Sequence, residues 1–216
     1  MERYEIGAAL GGALGLWTIA SALSGLWQRT RAGQRLKALM RTPSAVWGMT
    51  LAHMGLGVFI IGVTFTSIYS VEKDIRMAPG DRYDIAGYTF RFDGVEKMQG
   101  PNYAAETGRI SVFIEQGLEA TLTPEKRIYL VQQMPMTEAA IDPGLTRDLY
   151  VALGEPLDDG KSWAVRLYYK PFVRWIWLGG LIMVIGGAFS ASDSRYRRLA
   201  RHREALRDAL STQPAR

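Results

Sequence analysis

The chain has 216 residues, 48% of them hydrophobic, a net charge of +5 and no cysteine. Without cysteine there are no disulfides, iron–sulfur clusters, thiol nucleophiles or CxxC chemistry, so any redox role has to be borrowed from a cofactor. A pI near 9.5 would suggest nucleic acid for a soluble chain, but the basic residues flank apolar runs and no nucleic-acid partner is expected.

Ile6 to Trp27 carries no charge, Val46 to Ser70 carries none, and Phe172 to Ala191 carries only Arg174. About 20 apolar residues span a bilayer as a helix, so three transmembrane helices are expected. The mean hydropathy of −0.04 averages these spans against a polar middle. In the first span Gly7, Gly11 and Gly15 stand four apart, a pattern that lets helix backbones approach closely. The leading Met-Glu-Arg-Tyr-Glu is not a positive n-region, so a secretory signal is not expected. The stretch 28–45 then holds Arg29, Arg31, Arg35, Lys37 and Arg41 with no acid, which marks it as a cytoplasmic loop and puts the N-terminus outside.

In the second span, 46–70, Gly48, Gly55 and Gly62 recur every seven residues, with Ala52 and Thr66 extending the stripe. His53 points about 100° away from Ala52, on a face with Val46, Met49, Gly57, Ile60 and Thr64. An ionisable side chain at membrane depth is costly and is therefore a functional candidate. Two uses are open to it: a neutral imidazole bonded to a neighbouring helix, or an axial ligand to haem iron. Gly57 removes bulk one turn later, leaving space for a flat macrocycle or for another helix.

Residues 71–171 read as a small all-β domain outside the membrane, an OB-like barrel or sandwich. Strands are expected over Tyr88–Met98, Arg109–Gln116, Leu118–Gln133 (interrupted at Pro124), Asp148–Leu153 and Ser162–Lys170. In the last, Trp163, Val165, Leu167 and Tyr169 share one face. The segment 72–170 has 12 basic and 16 acidic side chains. Asp142, Asp148, Glu138 and Glu155 gather around TEAAIDPGLTRDLY; a loop tied by Asx-type turns and an Arg147 contact explains them more simply than a catalytic carboxylate pair. The third span, 172–191, opens on KPFVRWIW, whose Trp175 and Trp177 suit an interfacial belt. The tail 192–216 alternates Arg with Leu and Ala as an amphipathic surface helix on the cytoplasmic side would, with His202 a solvated side chain. The basic loop and tail are expected to rest on membrane lipid. No phosphate-binding loop, HExxH motif or serine–histidine arrangement is present in the sequence.

The run LAHMGLGVFIIGVTFTSIYSVEKDIRMAPGD, then MQGPNY, EKRIY, MTEAAID, TRDLY, GEPLDDGKSWAVRLYYKPFVRWIW and a closing SRYRR resemble the C-terminal portion of the CcmF family of cytochrome c maturation proteins. The likeness is dense over 42–198 and looser through the first helix. It implies a multi-pass protein of the bacterial inner membrane, or the mitochondrial one if organellar, with 71–171 in the periplasm. It also implies a component of cytochrome c haem lyase, which attaches a transferred haem to the thiols of a CxxCH apocytochrome c. The partners implied are CcmH, CcmI and haem-loaded CcmE. By the same resemblance His53, in LAHMGLG, matches one of two axial ligands to a membrane haem b, with Gly57 beside it. That haem is proposed to reduce the incoming iron if quinol feeds it.

The family's tryptophan-rich WWD segment, its flanking external histidines and its other transmembrane histidine do not occur in these 216 residues. The chain is therefore expected to be a split-gene product or a fragment, and to need the N-terminal part of CcmF or an equivalent chain to complete the reaction. The reading from another class is a non-catalytic, membrane-anchored assembly subunit whose β domain docks maturation partners.

Overall fold

The computed structural model describes residues 2–29, 39–40, 42–131 and 133–193. Most of the basic loop and all of the tail from 194, with His202, lie outside the described residues. The chain forms two compact units, one built from residues up to Gly62 together with those from Trp175, the other from Val63–Arg174.

The helical unit is made by α1 (Glu2–Arg29), α2 (Ser44–Tyr69) and α3 (Val173–Ala191). All three are long and apolar enough to cross a membrane, as the uncharged runs require. Glycine decides how they meet. On α2, a β-carbon added to Gly55 would lie 2.7 Å from the carbonyl oxygen of Gly179 and 2.7 Å from the nitrogen of Met183. Gly48 faces Gly186 and Ser190, and Gly62 faces Ile176, in the same way. The heptad glycines of α2 thus meet Gly179 and Gly186, themselves seven apart on α3, and the backbones run antiparallel in direct contact. Such close approach replaces the hydrophobic drive that lipid cannot supply.

α1 packs on a different face of α2. Gly15 sits against the carbonyl of Gly57 and the side chain of Ile61, and Ala8 is also buried. Of the three glycines spaced by four, Gly15 makes the close approach, whereas Gly7 is exposed. The N-terminus of α2 is capped from a distance: the buried Asp193 accepts a hydrogen bond from the backbone N–H of Ala45 at 3.0 Å. A carboxylate there satisfies one of the four orphan donors of the first turn.

The second unit is a β-sandwich of ten antiparallel strands: β1 (Val71–Met77), β2 (Arg82–Ile85), β3 (Tyr88–Gln99), β4 (Tyr103–Ile114), β5 (Gly117–Leu122), β6 (Glu125–Tyr129), β7 (Pro135–Glu138), β8 (Ala140–Pro143), β9 (Arg147–Leu157) and β10 (Ser162–Pro171). One sheet has the order β1-β10-β9-β8, the other β2-β3-β4-β6-β7 with β5 also paired to β4. Phe90, Phe92, Ile110 and Val112 from one sheet meet Leu149, Val151, Leu153, Val165 and Leu167 from the other, all essentially inaccessible. Trp163, Val165 and Leu167 face inward together, and Tyr169 packs against the same core. The expected strands are present, Leu118–Gln133 as two, β5 and β6, the second ending at Tyr129. The sequence reading missed β1, β2, β7 and β8, short strands lacking a long apolar alternation. It also started β4 six residues late, because its first half is interrupted by polar residues. In β3 the register shifts between Phe92 and Gly94; Gly94 has φ +134°, which a residue with a β-carbon rarely adopts.

Strand β10 turns into α3 at Phe172, whose φ of +57° is unusual for a bulky residue. Its ring packs on Phe65 at 5.4 Å, and its N–H donates to the carbonyl of Thr146 at 3.0 Å. Pro171 is held too, its carbonyl accepting from the Thr66 hydroxyl at 2.7 Å.

Arg147 is the hub at this end of the sandwich. Its guanidinium donates to the Tyr88 hydroxyl at 3.0 Å, to Asp142 and to Glu119 at 2.8 Å, and lies over the Tyr88 ring. Burial alone would lower its pKa, but the bonds to Tyr88 and Asp142 more than reverse this and raise it above the ordinary value. Removing it as Arg147→Ala leaves Asp142 and Tyr88 without their main partner. The expected cost is about 1.5–3 kcal/mol, the range for hydrogen bonds to charged groups. Thermal unfolding of the full chain in detergent should register it, while Arg166→Ala, in an exposed pair with Asp74, should change little.

Candidate functional site

His53 lies nine residues past Ser44 on α2, about 13 Å along the helix axis. Its ring stands at the surface of the helical unit rather than inside it. Nδ1 is 2.8 Å from the carbonyl oxygen of Met49, one turn earlier. A carbonyl can only accept, so Nδ1 carries the proton and the lone pair of the neutral ring sits on Nε2. A hydrogen bond from one ring nitrogen to a backbone carbonyl fixes both tautomer and orientation, as is usual for metal-ligating histidines. The arrangement therefore suits an iron axial ligand held from one side.

Beside the ring runs a cleft of about 250 Å³ between α1 and α2. Ser21, Ala22, Gly25 and Arg29 line it from α1, and Val46, Met49 and Thr50 join His53 from α2. This is less than the roughly 300–1,000 Å³ of closed ligand pockets. Thr50 is buried and spends its hydroxyl on the carbonyl of Val46 at 2.9 Å.

Gly57 is occupied differently. A β-carbon there would lie 2.5 Å from Cγ1 of Ile19 and 2.7 Å from the carbonyl of Gly15. Of the two occupants the sequence leaves open for this space, the one present is a helix, α1. The α1 residues of the cleft were missed because nothing local marks them. The antiparallel pairing of Gly15 with Gly57 is what brings residues 21–29 opposite 46–53.

The other sequence candidates separate. Asp142 is paired to Arg147, and the buried Asp148 accepts from the N–H of Gly144 at 3.0 Å and lies 3.6 Å from Arg174. Glu138 is 3.6 Å from Arg127, and Glu155 pairs with Lys126. Each carboxylate has a basic or backbone partner; Asp142 and Asp148 tie the turn between β8 and β9 through Arg147 and Gly144, as the simpler reading expects, whereas Glu138 ends β7 and Glu155 lies on β9. Tyr150 is pushed above the ordinary phenol range by burial and by the neighbouring Asp148. Among the described residues no group of three or more histidine, cysteine, aspartate or glutamate side chains could hold a metal ion.

A family model described as the CcmF C-terminal beta-sandwich matches residues 68–171. The cytochrome c-type biogenesis protein CcmF of Pseudomonas aeruginosa is 48% identical over 197 residues, 91% of this chain and 30% of the relative. CcmF of Escherichia coli is 47% identical over 189 residues, 88% of this chain and 28% of the relative. The biogenesis protein ccl1 of Rhodobacter capsulatus is 47% identical over 208 residues, 95% of this chain and 31% of the relative. A solved structure, cytochrome c haem lyase CcmF, superposes with a TM-score of 0.64 at 15% identity, covering 87% of this chain and 33% of that one; at that identity it speaks for the fold alone. The chain spans about 30% of the length of the curated relatives it matches.

Proposed function

The chain belongs to the CcmF family and corresponds to its C-terminal portion; from that premise we propose that it is the part of a cytochrome c haem lyase that supplies one axial ligand to a membrane haem b. The observation that carries the reading is His53, whose Nδ1 is committed to Met49 so that Nε2 is the nitrogen left with a lone pair. When bound, the haem supplies an electron for reducing the iron of the haem to be attached. The chain's own residues hold and orient: Met49 fixes the imidazole, α1 walls one side, and Arg29 brings a positive charge to the cleft lining. One imidazole fills one coordination position, so the second ligand comes from the N-terminal part of the protein or an equivalent chain.

In this reading residues 71–171 are periplasmic and the chain sits in the bacterial inner membrane. CcmH, CcmI, haem-loaded CcmE and apocytochrome c are the partners of the complete assembly, and quinol is the electron source. A chain without cysteine fits thioether formation, since the reacting thiols belong to the apocytochrome and no competing nucleophile is offered.

Co-expression tests it. This chain together with the N-terminal two-thirds of a CcmF relative should give a low-spin b-type absorption spectrum that neither part gives alone. A second reading, an assembly subunit without a haem role, has some support in the apolar side chains exposed from β6 to β7, among them Val131, Met134 and Met136. It expects no spectrum from the pair.

A further inference from the structure

We propose that the turn 143–146, from the last residue of β8 to the start of β9, is a membrane-surface contact that sets Leu145 into the headgroup boundary of the bilayer. The loop is fixed at the level where α3 begins. Arg147, the first residue of β9, pairs with Pro171, the last of β10. Phe172 donates its N–H to the carbonyl of Thr146 at 3.0 Å, and α3 starts at the next residue, Val173. Whatever depth Val173 has at the start of its span, Leu145 is tied close to it.

The loop is also rigid. Arg147 bonds the carbonyl of Asp142 at 3.3 Å as well as its carboxylate, closing the loop at its base. Gly144 donates to the buried Asp148, and a β-carbon at Gly144 would meet the carbonyl of Arg147 at 2.6 Å. From this clasp the loop projects Pro143, Gly144, Leu145 and Thr146, with no charge among them. Leu145 is 70% exposed. A preorganised backbone that displays a leucine beside the start of an apolar span suits insertion into lipid, where such side chains sit about 5–10 Å deep at the headgroup–acyl boundary.

The flanking chemistry is that of a headgroup layer. Arg174 is half exposed, and the Lys170 ammonium lies 5.0 Å and 5.6 Å from the ring centres of Tyr168 and Tyr150. Lysine, arginine and tyrosine at such a boundary meet lipid phosphates while keeping their apolar parts inward. A lipid surface accommodates all of these at once.

The sequence makes the test clean, because a single introduced cysteine is the only thiol in the chain. The full chain carrying Leu145→Cys, labelled with an environment-sensitive fluorophore, is reconstituted in phosphatidylethanolamine–phosphatidylglycerol vesicles. Val131→Cys, at a position 92% exposed in the β6–β7 turn, is the reference. The label at 145 should emit blue-shifted light and lose most of its intensity to lipids carrying shallow nitroxides, while the label at 131 does neither. Emission at 145 matching that at 131 overturns the proposal. So does a blue shift without quenching by nitroxide lipid, since protein then covers the loop. Should Leu145→Cys fail to accumulate, Thr146→Cys, also exposed, reads the same boundary.

Discussion

His53→Ala should abolish the low-spin b-type spectrum of the chain co-expressed with the N-terminal part of a CcmF relative, with the chain accumulating at its usual level. The loss should be near complete because an axial nitrogen has no substitute nearby. The chain's other histidine, His202, lies in the basic tail, and the cleft beside the ring offers no second nitrogen ligand of the common haem set; the other such group lining it is the Met49 thioether, one turn before His53. The helix itself should tolerate the change. The ring's hydrogen bond goes to the carbonyl of Met49, which remains in the helical ladder. His53→Gly with added imidazole separates ligation from packing: exogenous imidazole should restore part of the spectrum if Nε2 binds the iron. A full spectrum from His53→Ala removes this residue from the site.

The second large effect is expected at Gly55→Leu. A side chain there runs into the carbonyl oxygen of Gly179 and the nitrogen of Met183, both backbone atoms that cannot rotate aside. Helices α2 and α3 have to separate, losing the packing that holds them. Overpacking a tight interior costs about 1–3 kcal/mol and sometimes more; a contact made of backbone belongs at the upper end. Reduced accumulation in the membrane and faster trypsin cleavage of the detergent-solubilised chain should report it. Gly180→Leu, at a position with nothing within 4 Å of an added β-carbon, is the matched control and should behave as the parent chain. Equal sensitivity of the two variants would contradict the glycine contact.

The two experiments also distinguish the readings of α2. Gly48, Gly55 and Gly62 serve its contact with α3, whereas Gly57 serves its contact with α1. His53 belongs to neither glycine row and keeps an open side. A helix packed on two faces by small residues, with an imidazole on a third, is suited to receive a further element there, and the family comparison leaves about 70% of the relatives' length to supply it.

Much of this was readable from residue order. Apolar runs of sufficient length define α1, α2 and α3 because a bilayer admits only segments that satisfy their own backbone. Alternating apolar residues at 88, 90 and 92 and at 163, 165, 167 and 169 mark β3 and β10, since a period of two buries one face. The lone histidine in an uncharged span marks the candidate site, because an ionisable group there is costly without a purpose. Tertiary structure decided what no local pattern encodes: that the space at Gly57 belongs to α1, that Asp193 caps α2 across 148 positions, and that Arg147 gathers Tyr88, Asp142 and Glu119. Each of these joins residues distant in sequence, and short strands such as β2 and β8 exist only because their neighbours offer a ladder. The physical reason is common to all: periodicity reports which face of an element is buried, and only the fold determines what it is buried against.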